Sequence, residues 1–356
     1  MPLYLVRIDP TSPLHIGEPG IGVERCLSYI PSDTLFGAIC NAWAAIYGRE
    51  NLETLLNSFP KDNAEENAPP FILSSAFPRL KELNNEYFFF PKPFSPPPEA
   101  QFPGETEEDI AEKVAETMKD TEYLEKHLFE NWIGGTHLIE GKSWNELMLR
   151  VSSQEDGVFS RISKDHFFAR VRLDRIAHHS QLYFFKSIKF SQQREQGITY
   201  GGGLFFLASC SDDMKQKLHG ALKMLGDSGI GGERSLGYGR FSVNIDYIPD
   251  GFLREPEDSN AFIILSLHHP TERDLQELAG ANDRNFYDLA QRGGWIDSPF
   301  IKSAQRKLRC RMLREGSVLG FKPTGKLANV TPAGNSQHAI YRYGIPFTLK
   351  VRVVVK

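Results

Sequence analysis

The sequence predicts an α+β protein with two domains of the same class, the second one smaller. Three observations indicate this class. With 356 residues, 40% of them hydrophobic and 12% aromatic, the chain is too long for one average domain and supplies apolar side chains for two cores. Short apolar runs of strand length alternate with two amphipathic helices up to about residue 248. A similar pattern returns after a stretch of turn-forming residues, Pro249 to Pro256.

The first elements are a strand from Leu3 to Ile8 and a helix that begins at Ser32–Asp33. Side chains of this kind favour a helix N-terminus, so Asp33 is interpreted as a capping residue. Gly48 favours the C-terminus of the same helix. The apolar residues between these points recur every three or four positions and predict one buried face: Leu35, Phe36, Ile39, Ala42, Trp43 and Ile46.

The segment from about 50 to 165 is predicted to be an insertion that projects from the first domain. Prolines interrupt it repeatedly, which is typical of irregular structure. Between Gln101 and Glu130 it contains ten acidic residues and three lysines. Such a composition is typical of a solvated face, or of a surface that meets a basic partner.

Regular structure is predicted to return after this segment. The pattern predicts strands at 169–173, 182–185 and 203–208, a helix from Ser211 or Asp212 to Gly226, and a strand at 241–245. Together with the first strand and helix, this order is that of a ferredoxin-like, or RNA-recognition-motif-like, domain over residues 1–248. The second domain, 249–356, is predicted to have strands at 262–267, 307–313, 317–321 and 347–355, with a helix near Thr271.

Charge is distributed unevenly along the chain. The net charge of -4 and the pI near 6.2 argue against a uniformly basic nucleic-acid-binding protein. Residues 292–326 nevertheless contain nine Lys or Arg and two acids, and residues 161–194 contain eight and two. In the first of these stretches basic residues alternate along a predicted strand, so at most one subset faces a partner.

No metal or cofactor site is predicted. The four cysteines lack a C-x-x-C pair, and adjacent histidines in an extended segment point to opposite faces. No stretch approaches the ~20 apolar residues of a membrane span, and the N-terminus lacks the pattern of a secretory signal. We therefore expect a cytoplasmic protein without a membrane partner.

A glycine-rich segment after the second helix is the main candidate site. Five glycines within eleven residues relax the backbone and remove side chains that would keep a ligand at a distance. Exposed N–H groups are then predicted to reach phosphates, with cationic, hydroxyl and aromatic groups beside them. The candidate RNA contacts here are Gly229, Gly231, Gly232, Arg234, Ser235, Gly237, Tyr238, Gly239 and Arg240. An elaborate tight turn remains the alternative, whereas the pattern lacks the Gly-Lys-Ser/Thr end of a Walker loop.

Four further residues are candidate RNA contacts. His15 follows the first strand and is interpreted as an RNA contact or a residue that organises a loop, since one imidazole without a visible partner is weak support for a general base. Ser32 could present its hydroxyl and nearby helix N–H groups to a phosphate. Arg175 and Arg292 are candidate phosphate ligands, with structural ion pairs as the alternative.

The segment 229–241 resembles the glycine-rich loop of the RAMP proteins of CRISPR systems, which are built on ferredoxin-like domains. Six further segments, at 14–17, 31–38, 173–175, 292–296, 315–318 and 341–344, resemble the family of fourth subunits of type III-A, or Csm, interference complexes. The resemblance runs from end to end and is weakest between about 50 and 165.

This resemblance implies a non-catalytic subunit that binds the repeat-derived 5′ tag of the CRISPR RNA. It implies two protein partners, the large polymerase-like subunit and an adjacent backbone RAMP subunit. The predicted insertion corresponds to the thumb-like projection of such proteins, with Phe94 beside Lys92 as a candidate tip. Two alternatives stay open: a repeat-processing endoribonuclease of the same superfamily, and the equivalent subunit of a Cmr-type complex.

Overall fold

The computed structural model describes residues 1–17, 24–61, 68–83, 85–100, 106–138, 144–152, 157–174, 179–195, 198–280, 282–301, 304–334 and 338–354. The helices are α1 (Ser32–Tyr47), α2 (Arg49–Asn57), α3 (Glu107–Lys119), α4 (Lys126–Gly134), α5 (Trp144–Met148), α6 (Asp212–Ser228) and α7 (Glu272–Ala279). In the first 248 residues the strands are β1 (Leu3–Pro10), β2 (Phe71–Leu73), β3 (Phe77–Glu82), β4 (Asn85–Pro91), β5 (Tyr123–Glu125), β6 (Ser163–Asp174), β7 (His179–Phe190), β8 (Gln192–Glu195), β9 (Ile198–Cys210) and β10 (Phe241–Tyr247). The remaining strands are β11 (Ala261–Ile264), β12 (Leu289–Arg292), β13 (Cys310–Leu313), β14 (Val318–Leu319), β15 (Ala328–Asn329), β16 (Tyr341–Arg342) and β17 (Thr348–Val351).

A large antiparallel sheet forms the centre of the N-terminal part. Its strand order is β10-β1-β9-β3-β4-β5, and β2 and β8 also pair with β9. The four strands β10-β1-β9-β3, together with α1 and α6, have the order of a ferredoxin-like domain. The predicted α+β class is confirmed.

The central position of β1 explains why its side chains are so completely buried. β9 and β10 pair with its two edges, and Tyr4, Leu5 and Val6 are each 0% exposed. The apolar face predicted for α1 packs into the same core, apart from Ile46, which is exposed in the last turn.

The second predicted helix, α6, begins where expected and ends later. The Ser211 side chain caps it by accepting a hydrogen bond from the Met214 backbone N–H at 3.3 Å. Gly226 does not end the helix: a Cβ there would lie 2.3 Å from the Phe241 carbonyl oxygen, so this glycine permits close packing of α6 on β10. The helix ends instead at Gly229, which has a φ of +84°.

The prediction that 50–165 projects as an insertion is wrong for most of this segment. β3 is an inner strand of the ferredoxin-like domain beside β9, and β4 and β5 extend the same sheet. Pro91, one of the prolines that suggested breaks, is the last residue of β4, and Pro78 lies within β3. Phe71, Phe77 and Phe89 are buried. The candidate tip Phe94 does not project either, because its N–H donates to the Gly316 carbonyl at 2.9 Å.

The element that does stand apart from the main sheet is a hairpin of two long strands, β6 and β7. They pair with each other over their whole length, from Ser163 opposite Phe190 to Asp174 opposite His179. Within the described residues they form a sheet of their own. The sequence predicted both strands but not their projection.

The C-terminal part packs directly on the N-terminal sheet. Its strands β14-β11-β17 form an antiparallel sheet, and β12 pairs with β13 in a ribbon. Helix α7 begins with a capping box between Thr271 and Asp274. The Leu73 N–H donates to the Tyr343 hydroxyl at 2.8 Å, and Tyr343 packs 5.1 Å from Phe36 in a core common to both parts. None of the helices in the described residues is long and apolar enough to cross a membrane.

Candidate RNA interface

The glycine-rich loop, residues 229–239, connects α6 to β10 and folds back on the segment after β1. The Gly239 N–H donates to the Pro13 carbonyl at 2.8 Å, and the Gly232 N–H donates to the His15 carbonyl at 2.9 Å. The Ile230 N–H donates across the loop to the Gly239 carbonyl at 3.0 Å. Most N–H groups of the loop are therefore bonded within the protein. This corrects the prediction that they are exposed to phosphates.

The glycines allow this loop to pack closely. Gly231 has a φ of +89°, and a Cβ there would lie 2.3 Å from the His15 carbonyl oxygen. A Cβ on Gly239 would lie 2.0 Å from the Ile230 carbonyl oxygen. Both positions require glycine to hold the loop together, whatever ligand lies above it.

His15 contacts both the glycine-rich loop and strand β7. It is 6% exposed, and its Nδ1 lies 2.7 Å from the Lys186 carbonyl oxygen on β7. Its ring packs at a tilt against Phe185, with 4.6 Å between the ring centroids, and a Cβ on Gly232 would lie 2.8 Å from its Cδ2. Of the two roles predicted for His15, the geometry supports the organisation of a loop, because the imidazole is largely buried and already bonded.

The hairpin and the loop meet at a cluster that the sequence did not predict. The guanidinium of Arg170 on β6 donates to the Glu233 carboxylate at 2.7 Å and lies 4.2 Å over the Phe185 ring. Phe185 also contacts Tyr238 edge to face at 5.6 Å. Arg170 lies in the basic stretch 161–194, which was the available signal, but only the pairing of β6 with β7 brings it to the loop.

The outer part of the hairpin exposes apolar side chains on one face. Directly opposite residues of an antiparallel pair share a face, and 167, 169, 171 and 173 on β6 lie opposite 186, 184, 182 and 180 on β7. The large apolar members of this face are Phe167, Val171, Leu173, Leu182 and Phe184, each 50% exposed or more. A contiguous exposed patch of this kind is typical of a surface that meets a partner or ligand.

Beyond this cluster, the loop presents polar groups to solvent. Ser235 and Arg240 are exposed, and Tyr238 is half-buried against the hairpin. Arg234 donates to the Asp297 carboxylate at 2.7 Å, so part of its charge is balanced by the C-terminal part of the chain. A hydroxyl, an aromatic ring and a guanidinium are thus available within a few residues.

Arg292 and Ser32 are not surface residues, which corrects their prediction as RNA contacts. Arg292 forms two hydrogen bonds to the Asp33 carboxylate, at 2.8 and 3.0 Å, and Arg342 donates to the same group. Ser32 is 0% exposed and accepts a hydrogen bond from the Leu267 N–H at 3.0 Å. The ion-pair alternative for Arg292 is the one that the structure supports.

The same cluster corrects the role of Asp33. Pro31 is the N-cap of α1, and the Asp33 carboxylate makes no cap hydrogen bond. Burial alone would raise the pKa of Asp33, but the guanidiniums of Arg292 and Arg342 outweigh it and hold the pKa well below its usual range. Asp33 therefore remains ionised and attaches α1 to β12 and β16.

Two further predictions concern other parts of the chain. Arg175 lies outside the described residues, between β6 and β7. Within the described part of the chain, no cluster of three or more His, Cys, Asp or Glu side chains is arranged to hold a metal ion.

Comparison with known proteins identifies the family. A model of the RAMP superfamily matches residues 7–242, which is more than half of the chain. The chain belongs to the RAMP superfamily. A second model, that of the CRISPR Csm4 C-terminal domain, matches residues 257–351 of this RAMP protein.

Its relatives include proteins named CRISPR system Cms protein Csm4. The one from Thermococcus onnurineus is 28% identical over 328 residues, covering 90% of this chain and 91% of the relative. The one from Methanocaldococcus jannaschii is 24% identical over 401 residues, covering 98% and 97%. The predicted resemblance to RAMP proteins and to the fourth type III-A subunit is confirmed.

Solved structures show the same fold. A crystal structure of a Csm1–Csm4 cassette in complex with cA4 matches with a TM-score of 0.59 at 21% identity, covering all of both chains. A crystal structure of a Csm3–Csm4 subcomplex of the type III-A interference complex matches with a TM-score of 0.59 at 20% identity, covering 97% of this chain and 98% of that chain. The fold is therefore that of this group of RAMP proteins.

Proposed function

We propose that this RAMP protein is a non-catalytic RNA-binding subunit of a type III-A effector complex. In this role it holds the repeat-derived 5′ tag of the CRISPR RNA and docks the large polymerase-like subunit. The observation that carries the proposal is the junction of the glycine-rich loop with the β6–β7 hairpin, where Tyr238 contacts Phe185 on one face of the hairpin and Ser235 and Arg240 are exposed, while the opposite face of the hairpin carries the exposed apolar side chains.

The chemistry of this junction suits single-stranded RNA. An unstacked base can lie against Tyr238 or an exposed aromatic ring of the hairpin, while Arg240 and Ser235 bind backbone phosphates. The hairpin, rather than residues 50–165, takes the thumb-like role in this proposal. The apolar side chains at its outer end are those that would separate two stretches of RNA or contact a neighbouring subunit.

The surroundings of His15 support binding rather than cleavage. Metal-free RNA cleavage needs a base for the 2′-hydroxyl and a cation for the charge that develops on the phosphate. His15 is 6% exposed and its Nδ1 is hydrogen-bonded to the Lys186 carbonyl, so this imidazole connects the hairpin to the loop.

The partners follow from the relatives. Csm4 chains occur with Csm1 in one solved relative and with Csm3 in another. We propose the corresponding partners for this chain, the polymerase-like subunit and a neighbouring backbone RAMP subunit.

The loop surface is tested with Tyr238→Leu combined with Arg240→Gln. Loss of one stacked base costs ~1–3 kcal/mol, so binding of tag-bearing single-stranded RNA is expected to weaken about 5- to 150-fold. Fluorescence anisotropy with the full-length chain measures this, using RNA of the same length with a scrambled tag for comparison. The matched control is Arg254→Gln, a change at an exposed arginine elsewhere, and it should bind like the wild type.

Two results would count against the proposal. If the double variant binds tag-bearing RNA like the wild type and unfolds at the same urea concentration, the loop is not the binding surface. If the wild type cleaves repeat RNA in the presence of EDTA and His15→Gln abolishes cleavage, the protein is a processing ribonuclease instead.

A further inference from the structure

The β12–β13 ribbon has one face turned inward and one turned outward. The register places Ala290 opposite Met312 and Arg292 opposite Cys310 on the inward face, where Met312 and Arg292 are buried. The residues between them, Gln291 and Arg311, are opposite each other and exposed. The ribbon therefore presents Gln291 and Arg311 to solvent, whereas Leu313 on the same face is buried.

The outward face continues beyond the paired strands. A Cβ on Gly293 would contact Arg309 Cγ at 3.5 Å, so the aliphatic part of the Arg309 side chain passes over Gly293. Further along, Trp295 and Arg306 are joined by an isolated bridge. The outward row thus carries three arginines, Arg306, Arg309 and Arg311, and we refer to it as the arginine row.

The charge of the arginine row is unbalanced. Many arginines of this protein are paired with carboxylates, including Arg7, Arg79, Arg150, Arg170, Arg314 and Arg352. Among the described residues, no carboxylate lies within ion-pair distance of the three arginines of the row, and all three are exposed. An unpaired row of guanidiniums is a site for anionic groups.

An aromatic ring lies at one end of the row. The guanidinium of Arg306 lies 4.9 Å from the centroid of the Trp295 ring, and this tryptophan is 58% exposed. A tryptophan supported by a guanidinium on one side offers a flat surface on which a base can stack.

The row is rigid and lies next to the glycine-rich loop. On the inward face Arg292 is held by Asp33, which fixes the ribbon on α1. Beyond Trp295, Asp297 accepts a hydrogen bond from Arg234 of the loop at 2.7 Å. The arginine row is therefore continuous in space with the surface proposed to hold RNA.

We propose that the arginine row and Trp295 form a second contact for single-stranded RNA, which extends the path of the strand from the loop onto the C-terminal part of the chain. Arg309 and Arg311 bind two backbone phosphates, and one base stacks on Trp295. This inference rests on the proposed function for the identity of the strand but on separate residues for the contact itself.

The test uses the full-length chain and single-stranded RNA that carries the tag. Arg309→Gln combined with Arg311→Gln is expected to reduce the slope of log affinity against log salt by about 1.4, since each phosphate contact to a single strand contributes ~0.7. Trp295→Leu is expected to weaken binding about 5- to 150-fold and to remove an ultraviolet cross-link between residue 295 and RNA substituted with 5-iodouracil. The control is Arg254→Gln with Arg273→Gln, two exposed arginines elsewhere, which should leave slope and affinity unchanged.

The outcomes separate this inference from the proposed function. If the arginine-row variants keep the wild-type slope and affinity while Tyr238→Leu with Arg240→Gln loses binding, the inference is wrong and the proposed function stands. If the arginine-row variants bind RNA normally but no longer co-purify with a protein subunit, the row is a protein interface and the inference is overturned. If the wild type binds no RNA, both the proposed function and this inference are wrong.

Discussion

Gly231 and Gly237 have nearly the same backbone conformation in different surroundings. Their φ angles are +89° and +85°, both in the left-handed region. A Cβ on Gly231 would lie 2.3 Å from the His15 carbonyl oxygen, whereas no heavy atom lies within 4 Å of a Cβ on Gly237. The pair therefore separates the cost of backbone strain from the cost of lost packing.

We expect Gly237→Ala to lower the free energy of unfolding by ~1–2 kcal/mol, the cost of a left-handed alanine. Gly231→Ala should cost a further ~1–3 kcal/mol, because the loop must move away from His15. Urea denaturation measures both. Equal losses in the two variants would show that contact with His15 does not constrain the loop.

At the scale of elements, the β6–β7 hairpin is attached to the loop by few contacts. Arg170 on β6 makes one of them, the ion pair with Glu233 at 2.7 Å, and Phe185 on β7 makes another, the edge-to-face contact with Tyr238 at 5.6 Å. The hairpin is also attached to the segment after β1, through His15 and the Lys186 carbonyl and through two backbone hydrogen bonds between Leu14 and Ile188. Arg170 therefore supplies the ion pair between the hairpin and the loop, and its guanidinium also packs on Phe185 within the hairpin.

Replacing Arg170 with Gln should loosen the hairpin without unfolding the sheet. We expect faster amide hydrogen exchange at 163–174 and 179–190 and in the glycine-rich loop, and unchanged exchange in β1. Lys189→Gln, at an exposed position on the same hairpin, is the control and should exchange like the wild type. Unchanged exchange in Arg170→Gln would mean that the remaining contacts suffice to fix the hairpin.

For the molecule as a whole, acid stability depends on a buried histidine. His268 is 0% exposed, and its Nε2 lies 3.6 Å from the Asp274 carboxylate. Burial lowers the pKa of His268 from 6.5 to about 4, although Asp274 opposes the shift. The folded state therefore holds this imidazole in its neutral form.

Since the pKa of His268 is lower in the folded than in the unfolded state, its neutral form contributes stability that is fully present above the unfolded value of ~6.5 and is lost as pH falls toward 4. The free energy of unfolding is expected to fall by ~2 kcal/mol between pH 6.5 and pH 5, at ~1.4 kcal/mol per pH unit. Urea denaturation at several pH values measures it. His268→Gln should remove most of this pH dependence, whereas His219→Gln, on a partly exposed helix face, should change it little. If His268→Gln loses as much unfolding free energy at acid pH as the wild type does, other groups cause the loss.

Local patterns in the sequence predicted the parts of the fold that are determined locally. The stripe on α6 and its Ser211 cap, the strand alternation of β10 and the glycine-rich loop were all readable from neighbouring residues. The class of the fold followed from these, and the family followed from the resemblance of the glycine-rich loop and of six further segments. The path of β3 through residues 50–165 did not, because prolines at sheet positions have the same appearance as prolines in loops.

The candidate site was less predictable because its contacts are distant in sequence. Arg292 is separated from its partner Asp33 by 259 residues. Its position in a basic stretch suggested a phosphate ligand, whereas the ion pair with Asp33 gives it a structural role. Arg170 was overlooked for the converse reason, since its partner Glu233 is 63 residues away. Sequence reasoning could name the basic segments but could not tell which of their arginines face solvent.

The Asp33 cluster also has a consequence for synthesis on the ribosome. Asp33 lies 309 residues before Arg342, and a ribosome adds about 5–20 residues per second. The synthesis of Asp33 therefore precedes that of Arg342, its second guanidinium partner, by ~15–60 s. During that time the nascent helix carries an ionised group at a position that will later exclude water, so the N-terminal segment cannot complete its docking until translation is almost finished.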